Sequence, residues 1–386
     1  VAVTARLGDR TLFPGLEARA YLNHAAVSPP SLPVQQAVAA ALEAQARGGP
    51  AAGRAALDLR ARLRARIAEL LGGRAEDVAL LPGCSAGVQT VALCYPWAPG
   101  DRVVLFDGEF PANVTPWQRA AALHGLELAF VPLDGFAEGG GGRGLEDLEA
   151  ELRRGARVVA VSAVQFRTGL RMPLAEMAAL AAGHGAEIFV DAIQACGAVP
   201  LDAAGLGLDY LACGAHKWLM GIEGAGFLWV RPGRARHLQP HLAGWLSHED
   251  PLAFLLRGPG HLRRDRPLRH DARALEPSSP STASQAALLA SIEILLGLGV
   301  PAVEAHAGAL CDGLEALLRE RGFASLRAGD PARRSAFFSA RLPPGVDGPR
   351  LRAALGERGV VAALPDGLLR LAPHWPNAPG EAKLVG

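Results

Sequence analysis

The chain has 386 residues, half of them hydrophobic and a fifth charged, with a formal net charge of +1. That length suits a large domain plus a smaller one, and that composition excludes a disordered chain. The near-neutral balance gives no electrostatic support to a nucleic-acid or membrane-surface partner. In chain order, Ser31 reads as a helix cap, followed by a helical stripe of Val34, Val38, Ala41 and Leu42. Short β-rich runs then appear at 78–81, 102–106, 126–131, 157–164, 186–190, 208–213 and 226–230, with helical patterns at 145–154 and 174–184 between them. This alternation predicts an α/β fold with a mostly parallel sheet of seven strands, covered by helices on both faces.

The Gly-rich, charged stretch 135–144 reads as a surface loop. A polar stretch at 257–280, rich in Arg, Pro and Ser, carries the chain out of the large domain. Helices at 282–298 and 303–319, a strand at 335–342, a helix at 348–357 and a strand at 368–372 follow. The predicted organisation is an N-terminal segment (1–30), a large domain (31–265) and a small α+β domain (266–386).

The residues that carry chemistry cluster at strand ends. The apolar run 208–213 ends in Gly214-Ala215-His216-Lys217, and further glycines precede the next strand. An α/β sheet places its ligand crevice at such an edge. Small neighbours let a flat cofactor approach the backbone. A lysine partly removed from water has a lowered pKa, so its neutral amine can form a Schiff base. The run 186–190 ends in Asp191, which puts a carboxylate at the same edge, with Gln194 three residues on. Gly83-Cys84-Ser85 at a strand-to-helix turn forms a phosphate cradle of free amides and helix dipole. It is not a P-loop, because no Lys-Ser/Thr follows.

The segment around Lys217 resembles the lysine signature of the class V aminotransferases, a family dependent on pyridoxal 5'-phosphate (PLP). The likeness runs from about Tyr21 to Asn377 and implies PLP fold type I, a homodimer and an amino-acid substrate. It assigns Lys217 and Asp191 to catalysis, with Asp191 beside the pyridine nitrogen. It assigns Gly83, Cys84, Ser85, Phe110, Gln194, His216 and Ser279 to cofactor binding. Gln194 faces the ring's phenolic oxygen, and the large domain holds the cofactor. The segment Asp107-Gly108-Glu109-Phe110-Pro111 resembles a branch with epimerase-like and carbon–sulfur lyase-like members, in which an aromatic covers the ring. Arg370, in a segment similar to the family's Arg-x-Ser-x-His-x-Tyr-Asn motif, grips the substrate carboxylate. Asn23, His24 and Ala26 lie in the entry segment near the substrate.

Four departures stand out. Gly214 replaces a common Ser, Ala372 replaces another, and Pro376 precedes Asn377. Ser279 stands where relatives present Thr to the neighbouring subunit's phosphate. The chain also stops at Gly386, short of an expected C-terminal helix.

Cysteine desulfurases carry a nucleophilic Cys on a small-domain loop. No Cys follows Cys311, which itself sits in an apolar helical pattern, and this argues against that branch. The five cysteines are scattered without metal-ligand spacing, and the eleven histidines lack paired ligand spacing. No metal is expected. Buried, reduced thiols in a cytoplasmic protein are. No apolar run is long enough to span a bilayer, and the N-terminus lacks a signal-peptide pattern. Transamination is the favoured reaction, because no acid for a leaving group is identifiable. β-Elimination or epimerisation are alternatives, and a non-catalytic PLP-binding protein is a third reading.

Overall fold

The structure is a computed structural model that describes residues 4–137 and 141–386. The first strand, β1 (Ala20–Tyr21), belongs to the small end of the molecule. The next seven are β2 (Val78–Leu81), β3 (Arg102–Phe106), β4 (Glu127–Val131), β5 (Ala156–Ser162), β6 (Glu187–Asp191), β7 (Tyr210–Gly214) and β8 (Gly226–Val230). They form one sheet in the order β2-β8-β7-β6-β5-β3-β4. Only β8 runs against its neighbours β2 and β7. The pairs from β7 through to β4 are parallel. Every residue of β2, β6, β7 and β8 is buried. Strands covered on both faces read as continuous apolar runs, which is why these were visible in the sequence.

Each face has its own helices. Helices α1 (Leu32–Gly48) and α2 (Gly53–Leu71) precede the sheet, and α3 (Cys84–Cys94) and α4 (Thr115–His124) follow its first strands. Val88 of α3 and Trp117 of α4 pack against Val103, Val158, Phe189 and Ala212 on one face. The other face is covered by α2, α6 (Gly142–Leu152), α7 (Leu174–Gly183) and α9 (Thr282–Leu298). There Leu63, Leu148, Met177 and Ile292 meet the alternate strand residues Val104, Val159 and Leu211. Successive strand residues point to opposite faces, so each strand feeds both cores.

The stretch 135–144 is not the open loop its composition suggests. Helix α5 (Asp134–Ala137) enters it and α6 leaves it, with Phe136 fully buried. A Cβ at Gly144 would collide with the Phe136 ring, so glycine there serves a close helix contact. Residues 138–140 of that stretch lie outside the described residues.

After the short α8 (Ala253–Leu256) and α9, the chain builds a second core. Its elements are α10 (Val300–Glu320), β9 (Ala324–Ser325), β10 (Phe338–Arg341), α11 (Gly348–Glu357), β11 (Val360–Val361) and β12 (Leu369–Leu371). Strands β12-β10-β9 form an antiparallel sheet, and β1 pairs in parallel with β11. Cys311, Leu314, Phe338, Leu355 and Leu371 pack together there with Ala20 and Leu22 of the N-terminal segment. Helix α9 instead buries Leu288, Ile292 and Leu295 in the core of the large sheet. Among the described residues, no single helix is long and apolar enough to cross a membrane.

Candidate active site

Lys217 lies in the turn-rich segment 215–225 that joins β7 to β8. The Met220 amide donates to Lys217 O (2.9 Å) and the Gly221 amide to Ala215 O (2.9 Å), which tightens the turn around the lysine. The Lys217 Nζ sits 5.4 Å from the centre of the Phe110 ring. Burial lowers the ammonium pKa below its ordinary value, Asp191 opposes that shift, and Arg370 reinforces it. An amine so placed gives up its proton more readily than a surface lysine.

Asp191 ends β6, next to β7 in the sheet, and is 3% exposed. Its Oδ1 accepts the Ile193 amide (2.9 Å) and the Cys84 thiol (3.1 Å). Burial raises its pKa, while those two donors and Lys217 hold it down. Burial also drives the Cys84 thiol well above its usual value, so it acts here as a neutral donor.

Cys84 is the first residue of α3, after Gly83, and Ser85 follows it exposed to solvent. The first-turn amides of a helix have no partner within it. A Cβ on Gly83 would meet nothing within 4 Å, so the space before this turn is open. Gly214 faces the same place, because a Cβ there would lie 3.4 Å from Cys84 N and 3.6 Å from the His216 ring. A serine at 214 would therefore point at the cradle, as the family pattern implies. His216 is half-buried, and burial followed by Lys217 lowers its pKa.

Gln194 is heavily committed. Its Oε1 accepts the Trp218 indole N–H (2.7 Å) and its Nε2 donates to Ala25 O (3.0 Å). One amide N–H remains for a ring oxygen. The entry segment is held by the same region, since the Ser28 amide donates to His216 O (2.8 Å). Asn23 bridges to Ala372 beyond β12, and its buried Oδ1 has no hydrogen-bond partner among the described residues. Ala26 is half-buried in the turn where its amide bonds Asn23 O (3.0 Å).

His24 is buried, with Nδ1 2.8 Å from Ser28 Oγ and its ring 5.4 Å from that of His374. Burial holds His24 well below its usual pKa and His374 down at about 4. His374 Nε2 donates to Trp218 O (2.8 Å), and its Nδ1 accepts the Trp375 amide (2.8 Å). Both nitrogens of His374 are thus engaged, and Nε2 joins the C-terminal segment to the residue after Lys217.

Arg370 lies on β12 and is 5% exposed. Its Nη1 donates to Phe166 O (2.8 Å), its guanidinium sits 5.9 Å from the Phe337 ring, and its buried Nε has no hydrogen-bond partner among the described residues. Burial lowers its pKa to about 10, which leaves it charged at neutral pH. Ser279 is elsewhere. It lines a groove of about 1540 Å³ between α1, α2 and residues 245–257, which neither Lys217 nor Asp191 lines.

Two participants were not singled out from sequence. Glu109 is buried and accepts the Ser162 amide (2.6 Å), the Ser162 hydroxyl and Gln165 Nε2 (3.0 Å). Phe166 meets Phe110 edge-on at 5.2 Å. The available signal was an acid directly before an aromatic at a strand end, a place where carboxylates usually face water. The residues present fit PLP: an open, amide-lined space for its phosphate, a buried carboxylate for its ring nitrogen and a half-buried amine for its aldehyde.

The model of the family "Aminotransferase class-V" matches residues 20–363. An uncharacterized aminotransferase, YcbU, of Bacillus subtilis (strain 168) is 26% identical over 381 residues, covering 97% of this chain and 94% of its own. The isopenicillin N epimerase of Streptomyces clavuligerus is 32% identical over 327 residues, covering 81% and 79%. Among solved structures, a C-DES mutant with glycine covalently linked to the PLP cofactor superposes with a TM-score of 0.87 at 23% identity, covering 98% of this chain and 99% of that one. At that identity the likeness shows the fold. It is that of PLP-dependent enzymes, the cofactor is PLP, and the chain belongs to the class V aminotransferase family.

Proposed function

We propose that this enzyme transaminates an amino acid, with Lys217 as both the covalent attachment point of the cofactor and the proton carrier at the substrate Cα. One observation carries the reading: the Lys217 amine is half-buried at the sheet edge, 5.4 Å from the centre of the Phe110 ring, with Asp191 and Arg370 as its strongest charged influences. PLP, when bound, supplies the electron sink for the substrate Cα. The chain supplies the rest. Asp191 presents a carboxylate to a protonated ring nitrogen. Gly83, Cys84, Ser85 and His216 offer donors to a phosphate, and Phe110 covers the ring. Arg370 offers a guanidinium fork to a carboxylate, the geometry such groups match best. Asn23, His24 and Ala26 close the substrate side.

Elimination requires an acid at the leaving group. His24 and His374 are held neutral by burial, and His374 has both nitrogens engaged. All five cysteines are buried, and Cys311 donates to Ala336 O (3.3 Å) with its thiol pushed up to about 12, so it is no persulfide nucleophile. The histidines favour transamination over a carbon–sulfur lyase, and the cysteines argue against a desulfurase.

Two measurements test the reading. Borohydride treatment of the purified protein should fix the cofactor to the peptide containing Lys217, and an adduct elsewhere overturns the assignment. A single turnover with an active amino acid, without added keto acid, should yield one equivalent of keto acid and no ammonia. Release of ammonia would establish the lyase instead. We further infer a homodimer: Leu57, Trp245, Leu255 and Leu256 are exposed around the groove that Ser279 lines, which suits a second copy that takes Ser279 to its own phosphate site.

A further inference from the structure

Two carboxylates are buried at the catalytic edge, and only one of them has a role in the chemistry above. Ser162 at the end of β5 is the register partner of Asp191 at the end of β6, and Ser162 is what Glu109 binds. Two like charges in a low-dielectric site do not both ionise freely. The hydrogen bonds decide which one yields. Asp191 has Lys217 as an opposing charge, whereas among the described residues the bonds to Glu109 come from a backbone amide, a hydroxyl and a side-chain amide. The other titratable or charged groups at this edge are His216 after β7, Cys84 at the start of α3 and Arg370 on β12. None of them is a hydrogen-bond partner of Glu109.

The Ser162 hydroxyl lets the network serve both protonation states. When Glu109 is ionised, the hydroxyl donates to Oε2. When Glu109 carries a proton on Oε2, the carboxyl O–H donates to the hydroxyl oxygen, which only has to rotate. Oε1 accepts from Ser162 N and Gln165 Nε2 in either case.

We propose that Glu109 is the positioning residue of this site: of the two buried carboxyls it is the one that carries a proton, which leaves Asp191, with Lys217 opposing it, as the ionised one toward the cofactor. The same clamp fixes what stands on either side. Glu109 and Gln165 are each followed by an aromatic, and their bond brings Phe110 and Phe166 edge-to-face. Phe166 O in turn holds Arg370. Burial raises Glu109 to about 7, with Asp191 adding to the shift and the Ser162 and Gln165 bonds opposing it, in agreement with the geometry.

The sign follows. A carboxyl with a raised folded-state pKa contributes stability below its unfolded value and loses it as pH rises through about 7. Glu109→Gln mimics the protonated form, because its amide nitrogen can donate to Ser162 Oγ while its oxygen keeps both acceptor bonds.

The proposal rests on reading Asp191 as the partner of the ring nitrogen, but its test reads the two carboxyls directly. Infrared difference spectra of the full chain, with and without PLP, would be recorded between pH 5 and pH 9. A protonated-carboxyl band should disappear with a midpoint near neutrality, and E109Q should lack it. D191N should keep the band and move its midpoint down by about half a unit to one unit, since a neighbouring negative charge is gone. The melting temperature of wild type relative to E109Q should fall by roughly 2 °C between pH 6 and pH 8. If E109Q does not fold, Ser162→Ala serves, and its midpoint should rise because the ionised form loses a donor. A band that persists in E109Q and vanishes in D191N would place the proton on Asp191 and overturn the proposal. Absence of any such band in wild type would overturn it equally. Failure of PLP to bind would leave the infrared result on the cofactor-free chain intact and would count against the proposed function alone.

Discussion

Arg370 and Asp191 are both buried charges, yet burial is offset in different ways and their loss should read differently. Arg370 keeps one hydrogen bond to Phe166 O and leaves its buried Nε without a partner among the described residues. Arg370→Ala should raise KM for an active amino acid, since a lost charge-assisted hydrogen bond costs about 1.5–3 kcal/mol, roughly 10- to 100-fold. An unchanged KM would remove the carboxylate role. Asp191 is satisfied by Ile193 N and Cys84 Sγ, both of which an asparagine oxygen can still accept. Asp191→Asn should therefore retain PLP while kcat falls by about 100-fold or more, the scale seen when a preorganised charge is removed from a reacting centre. Equilibrium dialysis with steady-state kinetics separates the two cases. A D191N protein that turns over normally would end the ring-partner assignment.

At the scale of elements, the site depends on how closely α3 lies on β7. A Cβ on Gly87 would sit 2.6 Å from Ala212 Cβ, so the helix that opens at Cys84 can approach the strand that leads to Lys217 only with glycine there. Gly87→Ala should cost about 1–3 kcal/mol by overpacking and weaken PLP binding. Adding Ala212→Gly should restore most of both, and independent losses in the double variant, measured by thermal melts and cofactor titration, would refute the contact. The strands of this sheet were legible because double-sided burial writes itself as unbroken apolar runs, and 78–81, 102–106 and 226–230 have the bounds read from sequence. The placement of Asp191 at the end of β6, and of Gln194 and Lys217 just beyond β6 and β7, was legible for the same reason. Glu109 was not, because its partners Ser162 and Gln165 are 53 and 56 residues away and only the fold brings them near. The 135–144 stretch misled because glycine marks both open loops and tight contacts, and only the buried Phe136 distinguishes them. Helix α9 follows a polar connector that reads as a domain exit, yet its apolar residues return to the large core, a choice made by packing rather than by local pattern.

At the scale of the whole molecule, the chain holds the Lys217 amine, the Asp191 carboxylate and the open turn before α3 at one sheet edge while Ser279 faces a groove that these residues do not line. Glu276, three residues before Ser279, is bound by Arg64 through both oxygens (2.6 and 2.7 Å) and accepts Leu80 N (2.9 Å). That pair is largely buried, so it should hold the segment before Ser279 far better than an exposed ion pair would. Leu255 and Leu256, 62% and 73% exposed, crown the same groove. Leucines this exposed, clustered around a concave surface, mark an interaction face rather than scattered surface residues. Changing both to Lys should convert a dimer to a monomer in light scattering and should loosen PLP as well, if Ser279 reaches across. Ser279→Ala should keep the dimer mass and weaken PLP by about 10-fold, in line with the loss of one hydrogen bond to a charged group. The two variants separate assembly from phosphate binding. A wild-type monomer, or an S279A protein that binds PLP as tightly as wild type, would show that the site is complete within one chain.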